Sequence, residues 1–423
     1  MKIKKLIVRN YKLFDDLELD FTDKKSEILD TIVLAGLNGS GKTTLLELIE
    51  LLLNGTLLEE NLQKNTYIQL QLLTNQPFSE INTLFKTIPD ADKSNLSLQW
   101  FSERQTIIIF DFLNDKPKKS LENQFINGLM NFALFIGHYK YLGELGIFLF
   151  ANDKRKIDFN AVNMRCTSFN RDNLKIQKNI LEAIQKQVFA NPDTPPRQVF
   201  TRQIAELNQI FSQLNLYSKL KQINEKELIF ESINGQPIYF EQLSSGEKTL
   251  YYMGFMLQPL HLNHTIIMVD QPEDTLHPTW QQQITAFFKN IGTNNQVILA
   301  THSPQVIASV HPESVFVLGI EGEKRKIKAF NMATEHKNSY GVDANRILSE
   351  IMGTPIRSFE AQQRINAVNN QLKEMELNPA PSSLVILENQ IDTLAIDFGK
   401  QDAAVMRLRN ELRLLKRNVE LRK

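Results

Sequence analysis

A single cysteine, Cys166, occurs in 423 residues, which excludes a disulfide framework and a cysteine-built zinc site within one chain and points to a reducing compartment. No apolar run approaches the roughly eighteen residues that a membrane span needs. The basic start MKIKKLIVRNYKLF lacks the continuous apolar stretch of a secretory signal. Neither sign of charge is in excess, with 48 Lys plus Arg against 48 Asp plus Glu, so any surface facing nucleic acid must be a local patch. A cytoplasmic protein with no membrane association is expected. What is present is core-forming material: 42% of the residues are hydrophobic, enough at this length for two or three ordinary domains.

The stretch GLNGSGKTT, Gly36 to Thr44, follows the strand-like TIVLA and precedes the helical pattern LLELIELLL. Strand, glycine loop and helix in that order are the context of a phosphate-binding loop. Glycines let successive backbone N–H groups of Asn38, Gly39, Ser40 and Gly41 curl around phosphate, and the helix start at Lys42, Thr43 and Thr44 adds the positive end of its dipole. Lys42 is expected to reach the β and γ phosphates, and the Thr43 hydroxyl to complete a Mg²⁺ shell. Upstream, Ile3 to Val8 and Leu17 to Phe21 alternate as two strands joined by a turn. There Tyr11 or Phe14 could stack on an adenine or simply pack in the core.

A second motif, QLSSGEKTLYYMGFML, begins at Gln242. Ser244, Ser245, Gly246 and Glu247 stand at a helix start, where hydroxyl and backbone donors suit phosphate, although Ser245 could equally be only a helix cap. Further on, HTIIMVDQPEDTLHP places Asp270 at the end of a short buried strand. In an open α/β sheet that end faces the ligand, so Asp270 is expected to hold Mg²⁺. The next buried strand, in NQVILATHSPQVI, ends at Thr301, His302 and Ser303. His302 could then reach a γ-phosphate, or be structural.

Phosphate loop, LSSGEK, IIMVDQPE and ATHSP occur in the order found in ABC-type ATPases, and the chain resembles them over residues 1 to about 335. The form of Asp270, Pro272, Glu273, Leu276, His277 and Pro278 resembles the RecF, SMC and OLD branch rather than transporters. The resemblance implies an α/β fold, a mixed sheet flanked by helices, binding ATP and Mg²⁺. It also implies a composite site in which Ser245 and Gly246 of one subunit cap the nucleotide held by another, so that ATP drives homodimerisation or higher assembly. Residues of about 170–225, broken by NPDTPP, resemble a short helical lid insertion. The family's glutamine-bearing loop has no decisive candidate among Gln69, Gln71, Gln99 and Gln105.

From residue 336 to 423 the pattern turns helical, with helices expected over Phe359 to Leu377, Ser382 to Asp397 and Asp402 to about Arg422. Leu408, Leu412, Leu415 and Val419 form a heptad-like stripe in the last of them. Arg407, Arg409, Arg413, Lys416, Arg417, Arg422 and Lys423 outnumber its acids, which reads as a solvated face, a docking helix or a nucleic-acid contact. The acidic strand-end constellation of a fused nuclease is missing. VDANRILSEIMGTP, followed by a helical hairpin, resembles the PtuA-type ATPases of Septu and retron antiphage systems. That resemblance implies a partner with an HNH nuclease, PtuB in the family, for which this chain is the ATP-gated scaffold and sensor.

Gln271 departs from the pattern, because a glutamate usually follows the strand-end aspartate. A carboxamide can orient a water but cannot take its proton, and general-base catalysis contributes about 10²- to 10⁴-fold. Slow or conditional hydrolysis is therefore expected, with Glu273 as the local substitute base or merely a turn carboxylate. The competing reading is a RecF-like DNA-repair ATPase that clamps DNA through cycles of hydrolysis.

Overall fold

The computed structural model of the chain describes residues 2–54, 62–74, 78–87, 96–102, 105–114, 138–142, 147–151, 160–165, 173–224, 227–258, 262, 264–321, 326–377 and 381–421. Cys166, the apolar stretch before His138, Arg422 and Lys423 lie outside the described residues. The chain divides into two compact units, Met1–Ile347 and Leu348–Lys423.

In the first unit, β1 (Lys2–Tyr11) and β2 (Phe14–Asp20) pair antiparallel in a register that sets Leu6 against Leu19 and Val8 against Leu17. Their inward side chains and those of α1 (Lys42–Asn54) meet in one large apolar core. On α1, Leu45, Leu48, Ile49 and Leu52 recur at helical spacing and are buried, each contributing roughly 1.5–3 kcal/mol relative to exposure. Between β2 and α1 runs β3 (Thr31–Ala35), buried at every position, as strands covered on both faces are. An antiparallel extension follows: β4 (Leu62–Thr74), α2 (Phe78–Thr87), β5 (Leu96–Ser102) and β6 (Gln105–Asn114). Then come β7 (His138–Leu142), β8 (Ile147–Ala151) and β9 (Asn160–Arg165).

The lid-like stretch begins with helices α3 (Asn173–Ala190) and α4 (Pro196–Ile210), joined across the NPDTPP turn. The expected helical insertion stops earlier than residue 225. Ser218–Ile223 is strand β10, paired with β11 (Leu228–Ser232), which carries β12 (Pro237–Tyr239) on its other side. The local period decides this: Ser218 and Leu220 alternate inward, and a bulge before Gln222 returns Ile223 to the buried face, which a helix could not reproduce.

Next are α5 (Ser245–Leu257), β13 (Thr265–Asp270), α6 (Pro278–Gln281), α7 (Ile284–Asn290), β14 (Gln296–Thr301), α8 (Pro304–Ala308), β15 (Val315–Glu321) and β16 (Lys326–Asn331). Among the described residues one sheet runs in the order β5-β6-β4-β1-β2-β16-β15-β3-β14-β13-β9-β8-β7. It is a mixed sheet. Its centre, β15-β3-β14-β13-β9, is parallel throughout.

The second unit holds α9 (Phe359–Leu377), α10 (Pro381–Phe398) and α11 (Ala403–Leu421). Their core includes Ile365, Val368, Leu372, Leu387, Ile391, Leu394, Leu408, Leu412 and Leu415, so three of the heptad-like residues face inward; the side chain of Val419 lies outside the described residues. Several basic residues of α11 are engaged with acids: Arg409 with Asp392 (2.7 Å), Lys416 with Glu388 (2.7 Å) and Arg407 with Glu411 (3.7 Å). Asp402 caps α11, accepting from the N–H groups of Ala404 (3.0 Å) and Val405 (3.2 Å). It also takes two hydrogen bonds from Arg357 Nη2, at 2.9 and 2.7 Å.

Burial alone would raise the Asp402 carboxyl, but Arg357 and the two N–H groups outweigh it and hold the group below the usual carboxylate range. A depressed folded value adds stability above the unfolded value near ~3.9 and loses it as pH falls through the folded value. Protection of the amides in the first turns of α11, measured against their intrinsic exchange rates at each pH, is therefore expected to fall below about pH 4. Asp402→Ala should produce faster exchange already at neutral pH, by an amount corresponding to about 1–2 kcal/mol.

Candidate functional site

Four of the parallel strands, β3, β14, β13 and β9, end level with one another. Asp270 stands opposite Ala300 on one side and Arg165 on the other, and Thr301 stands opposite Ala35. The residues that follow β3, β13 and β14 therefore leave the sheet at one edge, the ligand edge of such folds. The loop after β3 is Gly36 to Gly41. There Gly41 has φ +87°, and a Cβ on it would lie 2.5 Å from Ile327 Cδ1 and 3.1 Å from the Phe14 ring, so a side chain is excluded both by backbone and by space. Asn38 and Gly39 are exposed, Ser40 and Lys42 are buried, Thr43 is exposed and Thr44 half-buried.

Lys42 folds back along this loop, its Nζ donating to Gly36 O (2.8 Å) and Leu37 O (2.9 Å). Burial lowers its pKa, and the charges of Asp270 and Glu273 oppose that shift. Thr43 Oγ1 donates to Asp270 Oδ2 at 2.9 Å. Hydroxyl and carboxylate oxygens at that distance suit a small hard cation, which takes its remaining ligands from phosphate and water. No cluster of three or more His, Cys, Asp or Glu able to hold a metal occurs among the described residues.

Beyond Asp270 the chain turns sharply. Gln271 has φ +52°, uncommon for a residue with a Cβ, and its N–H donates to Ala300 O at 2.8 Å. Glu273 is buried, 6% exposed. Its Oε1 accepts the backbone N–H of His302 at 2.9 Å and lies 3.2 Å from His302 Nδ1. Its Oε2 has no hydrogen-bond partner among the described residues. The His302 side chain is 40% exposed. Burial raises the Asp274 carboxyl, with His302 opposing. Ser303 Oγ donates to Gln281 Oε1 (2.7 Å), tying the loop after β14 to α6.

The signature-like loop is built from its own chain. Ser244, not Ser245, is the N-cap of α5, its Oγ accepting from the N–H of Glu247 at 3.2 Å. Glu247 closes the capping box and also accepts from Ser218 Oγ at 2.7 Å. Its carboxylate is thus committed to supporting the loop, against the expectation that it faces nucleotide. Ser244 and Ser245 are exposed. Gly246 is buried, and a Cβ there would meet Thr275 O and Trp280 Cζ3, both at 2.9 Å. Thr249 and Thr275 hydroxyls are 3.0 Å apart. The signature loop and the turn after Asp270 therefore pack as one piece.

Other expectations change. Tyr11 and Phe14 are 0% and 1% exposed and belong to the core, so neither ring is placed to stack on a base. Tyr11 is pushed up to about 12, first by burial and then by Glu47. Gln69 donates to Asp111 Oδ1 (2.6 Å) and Gln71 to Gln69 Oε1 (2.9 Å), a polar ladder on β4 and β6. Gln99 and Gln105 lie on β5 and β6. On the side of Asp270 away from β14 the bordering strand is β9. Only its pairing reveals it, since NAVNMR carries no motif.

Fold and strand-end site together define a P-loop ATPase of the ABC type, in the RecF, SMC and OLD branch. The chain belongs to the family described as "AAA domain, putative AbiEii toxin, Type IV TA system", matched over residues 32–308. It is similar to the "Retron Ec83 probable ATPase" of Escherichia coli, 23% identical over 408 residues, covering 77% of this chain and 73% of that protein. It is also similar to the "Retron Vc95 probable ATPase" of Vibrio cholerae serotype O1 biovar El Tor, 24% identical over 422 residues, covering 82% and 78%. A third relative is the "Septu protein PtuA" of Bacillus mycoides, 23% identical over 339 residues, covering 77% of this chain and 41% of that one.

The packing at Gly246 sets a measurable cost. Gly246→Ala is expected to destabilise the chain by about 1–3 kcal/mol through overpacking. In the double variant with Trp280→Leu, which makes room, a denaturation series should show a combined cost well below the sum of the single ones.

Proposed function

We propose that the chain is an ATP-gated scaffold of an antiphage defence complex, binding ATP with Mg²⁺ and controlling a nuclease partner of the HNH type. The observation that carries nucleotide binding is the contact of Thr43 with Asp270 at 2.9 Å beneath a loop in which Lys42 is buried. Phosphate takes the place of the Gly36 and Leu37 carbonyls as the partner of Lys42, while Thr43 and Asp270 hold the metal. The kinship with retron ATPases and PtuA supports the defence setting. The partner's nuclease type and the two-subunit composite site rest on the family resemblance of the motifs.

Exposed Ser245 on a rigidly packed α5 start is suited to cap a nucleotide held by a second copy, and this is the assembly role assigned here to Ser245 and Gly246. The unit from Leu348 onward, with its basic α11, is assigned to assembly or partner docking. Nucleic acid is a candidate further partner, directly or through the nuclease subunit. Gln271 keeps turnover slow or conditional, because its carboxamide can place a water and not deprotonate it.

ATP should bind with Mg²⁺, and Lys42→Ala should weaken it at least about tenfold, a change of ~1.4 kcal/mol readable by titration calorimetry. Ser245→Arg should leave ATP affinity within about twofold while abolishing the ATP-dependent mass increase in light scattering. Copurification with the products of neighbouring genes should recover an HNH protein; recovery of none would count against the scaffold role.

A further inference from the structure

The second unit has more apolar surface than its own core uses. On α10, Leu384, Leu387, Ile391 and Leu394 turn into the three-helix core. On the opposite side Val385, Ile386 and Ile396 are 58%, 56% and 82% exposed, and Asn389 and Thr393 between them are exposed as well. β-Branched aliphatics suit poorly a helix surface that meets only water, since they lose χ1 freedom and bury nothing there. Ile386, Asn389, Thr393 and Ile396 stand three, four and three residues apart, the spacing of a coiled-coil seam. α10 thus carries two seams on opposite sides, and its own unit covers the inner one.

The outer seam is complementary to itself. Its residue types read the same in both directions about Ile391: isoleucine, polar, polar, isoleucine. In an antiparallel pair with a twofold axis at that level, Ile386 shares a layer with Ile396 of a second copy, and Asn389 shares one with Thr393. Thr393 Oγ1 donates to Asn389 O at 2.8 Å, which leaves its lone pairs to accept from the amide of the other copy's Asn389. A polar layer of this kind weakens a seam and fixes its register.

Charge selects the same occupant and orientation. The charged residues of α10 are all acidic: Glu388, Asp392 and Asp397 flank the seam and pair with Lys416 (2.7 Å), Arg409 (2.7 Å) and Arg364 (2.6 Å) of the neighbouring helices. Acidic edges disfavour nucleic acid there. A parallel pair would set Asp392 beside Asp397 of the other copy, five positions on, along both edges. The antiparallel pair brings together only the two copies of Asp392, each already held by Arg409. Those ion pairs also show that α10 and α11 run in opposite directions, which puts Met406, 50% exposed, beside Ile396 and widens the apolar end. We infer that α10 pairs antiparallel with α10 of a second copy, centred on Ile391, in a contact that needs no nucleotide. The inference rests on the assignment of the unit from Leu348 onward to assembly or partner docking, and names its surface and occupant. With the ATP-driven contact through Ser245 it gives each chain two different twofold contacts, enough to build assemblies larger than a dimer.

The test is light scattering of the full chain without nucleotide, at concentrations up to about 100 μM. Wild type and Ser245→Arg should both reach the dimer mass. Ile396→Lys and, separately, Ile386→Lys should raise the dissociation constant by about 10²-fold or more, because each substitution enters the seam twice. Both positions are exposed, so the melting temperature of the dilute chain and its binding of a non-hydrolysable ATP analogue should not change. Orientation is read by co-expressing two chains that both carry Cys166→Ser, one with Asn389→Cys and the other with Thr393→Cys. Oxidation should join the two kinds to each other; disulfides formed only between like chains overturn the antiparallel pairing. A nucleotide-free chain that stays monomeric throughout overturns the self-pairing, as does a dimer that both lysine variants leave intact. If that monomer instead holds a copurified nuclease subunit and Ile396→Lys releases it, self-pairing fails and the docking assignment stands. Lysine variants that change neither mass nor partner binding remove the seam from both roles.

Discussion

The level ending of four parallel strands is the constraint on which the rest of the site depends. Hydrogen bonding sets Asp270 beside Ala300 and Arg165, and Thr301 beside Ala35. A slip of one residue in any pair would turn every side chain of that strand to the other face; because β3, β13 and β14 are buried at every position, that would exchange the side chains packed on the two sides and misfit both. Register is therefore held by the core, and the core in turn holds the phosphate loop, the acidic strand end and the loop of His302 at one edge. Thr43 and Asp270, far apart in the chain, meet at 2.9 Å only because of this.

A second layer of support lies behind the strand ends. Gly246 is closed in by Trp280 and the Thr275 carbonyl, Glu247 is drawn into the cap of Ser244 and the hydroxyl of Ser218, and Ser303 is tied to Gln281. The signature-like loop, the turn after Asp270 and the loop after β14 are thus braced against one another within one chain. Thr275 sits at φ +66°, a genuine outlier for a β-branched residue, and such strain persists only where the surroundings over-determine it. Here those surroundings are Thr249 and Gly246.

Much of the site could be read from residues alone. The phosphate loop, Asp270 at a strand end, the short strand before His302 and the two helices of the lid-like stretch all carry local patterns, in glycine spacing, apolar runs and period. The places where reading failed are ones where a local pattern serves two outcomes. Tyr11 and Phe14 fit equally a base-stacking edge or a core, and burial decided for the core. Glu247 at a helix start suits either a phosphate or a capping box, and the serine at position 218, distant in the chain, drew it into the cap. Ser218 to Ile223 continued a helical composition until its pairing with β11 made it a strand.

By itself the sequence determined the chemistry on offer: which loop can wrap phosphate, which strand ends in a carboxylate, and that Gln271 stands where a proton acceptor is usual. These follow from residue type and near-neighbour spacing, which short-range geometry largely fixes. Only the tertiary structure decided which groups meet. That β9 borders Asp270, that Glu273 grips His302, and that Trp280 dictates a glycine at position 246 are consequences of strand order and close packing, contacts between residues whose separation along the chain carries no periodic signal.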